Sequence, residues 1–379
     1  MTSVEQRTDP QGDTVDETSE SSGARGRLTL LAVIVVLPAA VMAAAELAGL
    51  NSRAIFIDAF RTATGPSAAV YALVAIGLNM HFGYTGLLNF GQVGFMLVGA
   101  YGVAIAVSTF GLSIWVGLVL SIAMAVVLAL LLGLPTLRLR ADYLAITTIA
   151  AAEILRFVFR SSDARPITNG VFGLRGFADE FYRINPIPAG DYQFLFLTLN
   201  QRRVWQMVVA WALVALASVF MWALMRSPWG RVIKSIREDE DAARSLGKNV
   251  FSYKMQSLVI GGVIGAIGGA MFALTLQTVQ PDTFLPQLTF YAYTVLILGG
   301  AARIMGPVVG SVIFWFIVAG FDSFLRRAAA VGVLPGEYFS TGSIGAVRFA
   351  FVGLGLMLLM IYRPQGLFGD RREMQLDVK

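Results

Sequence analysis

Residues 112–136 read LSIWVGLVLSIAMAVVLALLLGLPT, a run without a single charged side chain. A helix rises 1.5 Å per residue, so a hydrocarbon core about 30 Å thick needs about 20 mainly apolar residues. This run is long enough to cross a bilayer. It lacks the polar face that a helix lying against water would carry. Further apolar stretches occupy 28–45, 67–82, 91–109, 142–159, 204–225, 255–279, 288–302, 306–325 and 345–362. Together they predict an all-α integral membrane protein with about ten transmembrane helices. Charged residues make up only 14% of the chain, against about a quarter in a soluble domain, and the apolar surplus goes to these spans.

Outside the spans the chain is sparse. Residues 1–26 are acidic and polar, with too little apolar area to offset their ordering entropy, and read as a disordered tail. A signal peptide ending near Ala43-Ala44-Ala45 is the competing reading of the first stretch, and the long acidic leader argues against it. Residues 27–369 form a polytopic membrane domain, and 370–379 a short tail. Lys and Arg gather on the cytoplasmic side of membrane proteins. The segment 226–254, with Arg226, Arg231, Lys234, Arg237, Arg244, Lys248 and Lys254, is therefore placed in the cytoplasm. Counting crossings puts Arg138, Arg140, Arg303 and both termini on the same side. The segment 160–203 then falls outside as an extracytoplasmic loop, despite its arginines. Its turn-rich run Asn185–Asp191 suits either a docking surface or a solvated connector.

Several chemistries are excluded. There is no cysteine and one histidine, His81, so disulfides, thiolate or His-based metal sites and a Ser-His-Asp triad are not expected. No catalytic residue and no cofactor is assigned to this chain. A phosphate-binding loop needs Gly, four residues, then Gly-Lys-Ser/Thr. The one Gly-Lys pair, Gly247-Lys248, is followed by Asn249, and Ala242 stands where the first Gly belongs. The net charge of +5 fits membrane anchoring and orientation, with no nucleic-acid partner.

Residues 227–249 are the most informative soluble stretch. Ser227-Pro228 is an N-cap and first-turn pair. Val232, Ile233, Ile236, Ala243 and Leu246 follow at roughly helical spacing, around the charged run Arg237-Glu238-Asp239-Glu240-Asp241. Gly247 and Asn249 serve as stops. The spacing predicts one short amphipathic helix, either docked in a partner's groove or simply solvated.

Within the spans, Gly261, Gly265 and Gly269 repeat every fourth residue, as do Gly306 and Gly310. Small residues on one face let helices approach closely. Residues 83–91 are rich in Gly and polar groups, and non-helical backbone at membrane depth must line a cavity or be buried in protein. Asn79, Tyr84, Thr85, Asn89 and Gln92 are therefore pathway candidates, the alternative being a turn at the membrane surface. Glu153 and Arg156, three apart, can form an intramembrane charge pair, as part of a gate or as a structural pair near a span end. Asp142 matches the positive end of its helix. Glu46 and Arg348 lie near span ends and can extend their charges to the interface. A lone His81 reads as structural.

Particular runs carry a resemblance to a known family. Asp241-Ala242-Ala243-Arg244-Ser245-Leu246-Gly247 is similar to the Glu-Ala-Ala-x-x-x-Gly motif of ABC importer permeases, with Asp in place of Glu. Gly83-Tyr84-Thr85-Gly86-Leu87 through Gly91 resembles the Gly-Tyr-x-Gly-Leu-x-x-x-Gly signature of branched-chain amino acid permeases. Residues 137–146, 167–174, 227–231, 236–240, 299–310 and 362–369 look like further signatures of the LivM type, in the family's order. Asn169 and Ala302 depart from it in runs where small or Gly residues are usual.

The resemblance implies a fold like the type II ABC importer permeases. It makes Arg237, Glu238, Asp239, Glu240, Asp241, Ala242, Ala243 and Gly247 the segment that couples to ATPase subunits. It also implies a second, paralogous permease subunit, an extracytoplasmic solute-binding protein, surrounding membrane lipid, and ATP with Mg on the partner ATPases. The setting would be a bacterial or archaeal plasma membrane. The expected function is permease of an ATP-driven importer for branched-chain amino acids, with urea, amides or other amino acids as alternative solutes. A secondary transporter driven by an ion gradient is the alternative from another class. It needs ionisable groups at mid-span, and only Glu153 is a candidate.

Overall fold

The computed structural model describes residue 46 and residues 49–139, 141–332 and 341–362. The first apolar stretch, 28–45, and the tails 1–26 and 370–379 lie outside the described residues. By contacts the chain divides into two units, Met1–Ala54 and Ile55–Lys379. In the first, Ser52 Oγ donates to Glu46 Oε1 at 2.6 Å.

A helix absent from the expected set, α1 (Ser52–Ala63), is followed by α2 (Pro66–Thr85), α3 (Gln92–Thr109), α4 (Ile114–Thr136) and α5 (Ala141–Arg160). After a compact insertion come α8 (Gln201–Arg226), the charged segment, α11 (Val250–Leu276), α12 (Gln287–Gly299), α13 (Gly306–Val331) and α14 (Thr341–Tyr362). Helices thus overlie every expected stretch from 67 onward. Six of them, α2, α3, α4, α8, α11 and α13, are long and apolar enough to cross a membrane. The expected count of about ten is not reached among the described residues. Helix α12 has only 13 residues, about 20 Å of rise, and α5 carries Asp142, Glu153, Arg156 and Arg160.

The buried faces are set by side-chain size. In α4 the inward row is Gly117, Ser121, Ala125, Ala129 and Gly133, at steps of four, while Trp115, Val119, Leu131 and Leu134 are exposed. Lipid tails are as apolar as Leu, so only close packing distinguishes a protein neighbour from lipid. Helix α11 packs at the centre against α2, α3 and α4. Its glycines explain the fit: Gly261 lies on the Gly77 carbonyl and His81 ring, Gly265 on Gln92, and Gly269 on the Met96 carbonyl. None of these positions has room for a methyl group. Gly310 of α13 likewise meets Gly299 and the Val295 carbonyl of α12.

The insertion 160–203 is more ordered than the expected loop. It contains α6 (Arg165–Thr168), β1 (Leu174–Arg175), α7 (Asp179–Arg183) and the antiparallel hairpin β2 (Asp191–Phe194) and β3 (Leu197–Asn200). Strand β1 pairs with β4 (Thr278–Val279), beyond the end of α11. Asn169 takes the left-handed conformation (φ 59°), and its Nδ2 donates to the Gly173 carbonyl at 2.7 Å. Asn tolerates this region better than most residues, which accounts for its place in a Gly-rich run.

Candidate coupling segment and pathway node

The charged segment is two helices, and this corrects the single helix expected over 227–249. Helix α9 (Pro228–Glu238) starts as expected, with Ser227 Oγ accepting from the Gly230 N–H at 3.3 Å. At Asp239 the backbone is extended, and its Oδ1 accepts from the N–H groups of Asp241 (3.0 Å) and Ala242 (2.9 Å). Asp is a strong N-cap because its short carboxylate reaches the orphan donors of a new helix. It therefore starts α10 (Glu240–Ser245). Gly247 ends that helix in the left-handed region, φ 76°. Asn249 is a start: its Oδ1 accepts from the Ser252 N–H at 3.1 Å and caps α11.

Burial sorts the coupling candidates. Ala243 packs with Ile236 and Val250 inside the chain. Glu240 pairs with Lys254 and with Arg244 (2.9 Å), which also reaches Asp241 at 2.8 Å. Glu238, Asp239, Asp241, Ala242 and Gly247 are exposed. So is Leu246, at 79%, a residue not among the expected coupling set. The legible signal was an apolar residue directly before the left-handed glycine, beyond the last buried turn.

Arg237, near the end of α9, donates through Nη1 to the Gly83 carbonyl. Gly83 lies in the last turns of α2, which widen into a π-helix over Asn79–Thr85. The expected non-helical run 83–91 is thereby corrected. Only residues 86–91 leave the helix, after Gly86 turns left-handed at φ 74°. The π-turn frees donors and acceptors that side chains then satisfy. Asn79 Nδ2 donates to the Arg303 carbonyl (2.9 Å) and its Oδ1 accepts from the Ala302 N–H (2.8 Å). Those contacts hold Ala302 at φ 60°.

Thr85 Oγ1 lies 2.6 Å from Ser257 Oγ of α11 and donates to the Met80 carbonyl at 2.9 Å. Asn89 Oδ1 accepts from the Gly91 N–H (2.9 Å), which turns its Nδ2 toward His81 Nδ1 (3.0 Å) and Gln92 Oε1 (3.2 Å). His81 Nδ1 is then an acceptor, and Nε2–H donates to the Leu258 carbonyl at 3.2 Å. Gln92 Nε2 donates to the Gly261 carbonyl, and Tyr293 of α12 donates to the Asn89 carbonyl at 3.1 Å. Tyr84 is buried beside them. Thr85, Asn89 and Gln92 thus bond α2, α3, α11 and α12 together in a buried polar node, while Asn79 bonds the turn after α12. Buried polar networks of this kind specify one arrangement when fully satisfied.

Asn79→Leu strands the Ala302 N–H and the Arg303 carbonyl, and is expected to lower stability by about 2 kcal/mol or more. Asn79→Asp keeps the acceptor and loses the donor, so it should cost about half as much. Thermal unfolding of the purified full-length chain measures both.

The charge pair is also present. Arg156 Nη2 lies 2.8 Å from Glu153 Oε2, and a third member, Asp282, binds Nη1 at 2.9 Å. Asp282 is remote in sequence, and no local spacing pointed to it. Among the described residues no group of three His, Cys, Asp or Glu side chains is placed to hold a metal ion. Arg138 stacks over Phe251 at 5.7 Å. The 137–139 link, Arg303 and the charged segment therefore share one end of the unit, and β1, β4 and the Arg156 cluster lie at the other.

Comparisons with known proteins give the family. A family described as branched-chain amino acid transport system permease component matches residues 66–361. The high-affinity branched-chain amino acid transport system permease protein LivM of Escherichia coli is 30% identical over 79% of this chain and 67% of its own length. A probable LivM of Methanocaldococcus jannaschii is 25% identical over 80% and 91% respectively. The guanosine ABC transporter permease protein NupQ of Bacillus subtilis is 24% identical over 62% and 74%. The match takes in α2 through all but the last residue of α14, including the charged segment and the polar node. The chain belongs to the family of branched-chain amino acid transport system permease components.

Proposed function

We propose that the chain is the membrane permease of an ATP-driven importer for branched-chain amino acids in a bacterial or archaeal plasma membrane. It works with ABC ATPase subunits, a paralogous permease and an extracytoplasmic binding protein. Hydrolysis of ATP with Mg takes place on the ATPases. The observation that carries the reading is the Arg237–Gly83 contact. It ties a charged, exposed helical segment to the π-turn at the end of α2. A partner that displaces α9 and α10 thereby pulls on the π-turn, and packed glycine faces let α11 shift against its neighbours. Asn79, Tyr84, Thr85, Asn89 and Gln92 serve the pathway as the hinge behind its wall, and the Glu153–Arg156 pair braces the far end of α5. Relatives that name branched-chain amino acids support that solute; the guanosine permease among them makes guanosine the second solute to test.

Leu246 is the anchor expected to enter the ATPase groove, since it is an exposed apolar side chain on a charged helical segment, and such segments dock by laying apolar side chains into a partner's groove. Leu246→Asp should weaken co-purification of the ATPase subunits about tenfold or more and leave the unfolding temperature of the chain unchanged. Retained assembly would remove this segment from the interface. A bulky residue at Ala243 is a weaker test, because that side chain is packed inside the chain.

A further inference from the structure

The end of the bundle remote from Arg237 holds a cavity of about 600 Å³ between α1, α8, α13 and α14. Five arginines line it: Arg61, Arg203, Arg326, Arg327 and Arg348. Against them stand two carboxylates. Asp58 accepts from Arg327 at 2.9 Å and lies 3.9 Å from Arg61. Asp322 accepts from Arg326 at 2.7 Å and lies 3.3 Å from Arg348. Arg203 forms no ion pair among the described residues, and it faces the like charge of Arg61. Burial alone would raise the Asp58 carboxyl, but hydrogen bonds from Arg327 and Ser323 and nearby positive charge hold it below the usual carboxylate range. Asp58 therefore stays ionised near neutrality, and the cavity still carries an excess of three positive charges.

Two donors on this lining have no acceptor among the described residues: Arg61 Nε and the Trp315 indole Nε1, both shielded from solvent. Buried donors are nearly always paired in folded proteins, so these two are available to a bound group. The guanidinium fork suits planar or tetrahedral oxyanions. The volume lies within the range of small-ligand sites. Beyond the arginines the same helices expose apolar side chains, Ile317 at 46% and Leu354 at 50%, which a lipid tail can cover.

We infer that this cavity binds a phosphate oxyanion, and its place at the ends of lipid-facing helices favours the headgroup of an acidic phospholipid as the source. Clustered guanidinium groups pair with phosphate oxygens, and an apolar wall beside them covers the acyl chains. Inorganic phosphate presents the same chemistry from solution.

The test is native mass spectrometry of the full-length chain in neutral detergent. It is titrated in turn with dioleoylphosphatidylglycerol, dioleoylphosphatidylcholine and inorganic phosphate. The first lipid should bind about tenfold more tightly than the second. Arg203→Gln, which breaks no ion pair within the described structure, should remove that preference, as should Arg326→Gln. Arg231→Gln, on the exposed charged segment, should keep it. Phosphate binding with the same Arg203 dependence, and no preference between the lipids, would keep the oxyanion site and assign it to soluble phosphate. Equal binding of both lipids with no phosphate binding overturns the inference. So does a preference that both cavity variants retain.

Discussion

Gly269→Leu is expected to abolish recovery of the folded chain. Gly269 faces the Met96 carbonyl across the α11–α3 contact, backbone against backbone. A flexible neighbour could rotate away from a new side chain, but a carbonyl held in a helix cannot. The two helices must separate along a face shared with Gly265. Overpacking a tight core costs about 1–3 kcal/mol where side chains can adjust. Here the cost is expected to exceed that range, because the separation forfeits contacts over several turns. Gly355→Leu in α14 is the matched control: nothing among the described residues lies within 4 Å of a Cβ at that position, and Leu has the better helix propensity. Size-exclusion profiles of the two variants from parallel preparations give the answer. A monodisperse Gly269→Leu protein with an unchanged unfolding temperature would contradict the packing described above.

Arg237→Ala is expected to separate ATP hydrolysis from transport. The substitution removes the side chain that holds the Gly83 carbonyl, while the Ser227 cap and the Ile233 and Ile236 packing of α9 remain. The segment should still fold and still bind its partner. The displaced α9 would no longer carry the π-turn with it. Substitutions on a coupling route shift the coupling energy by about 0.5–2 kcal/mol, so uptake per ATP hydrolysed should fall about tenfold. Arg237→Lys supplies a compact ammonium in place of a planar fork and should recover part of the loss. Uptake and hydrolysis that fall in parallel, or neither falling, would place the coupling route elsewhere.

The elements that were legible in sequence are those written in local spacing. The uncharged run at 112–136 appears as α4, and Ser227-Pro228 as the start of α9. The i, i+3 spacing of Glu153 and Arg156 appears as an ion pair. The four-residue glycine repeat of α11 appears as the central contact face. What was not legible depends on geometry that spacing does not encode. Hydrophobic periodicity could not assign the faces of α4, because lipid and protein neighbours are equally apolar; the row from Gly117 to Gly133 assigns them by size. Asp239 sits inside a charged run whose spacing predicts one continuous helix, whereas its side chain caps a second helix. The π-turn at 79–85 is stabilised by Arg303 and Ser257, each more than 170 positions away. Asp282 joins Arg156 across 126 positions of the chain.

The central claim is that this chain moves its solute only when separate ATPase subunits drive it through the 228–245 segment. Leucine uptake into proteoliposomes tests it most directly. The chain is reconstituted alone, and then with its paralogous permease, ATPase subunits and binding protein, with ATP and Mg supplied on the ATPase side. Uptake that requires the full set and ATP is the predicted result, with guanosine run in parallel as the second solute. Uptake by this chain alone under an ion gradient, without ATPase subunits, would contradict the claim and make it a secondary transporter.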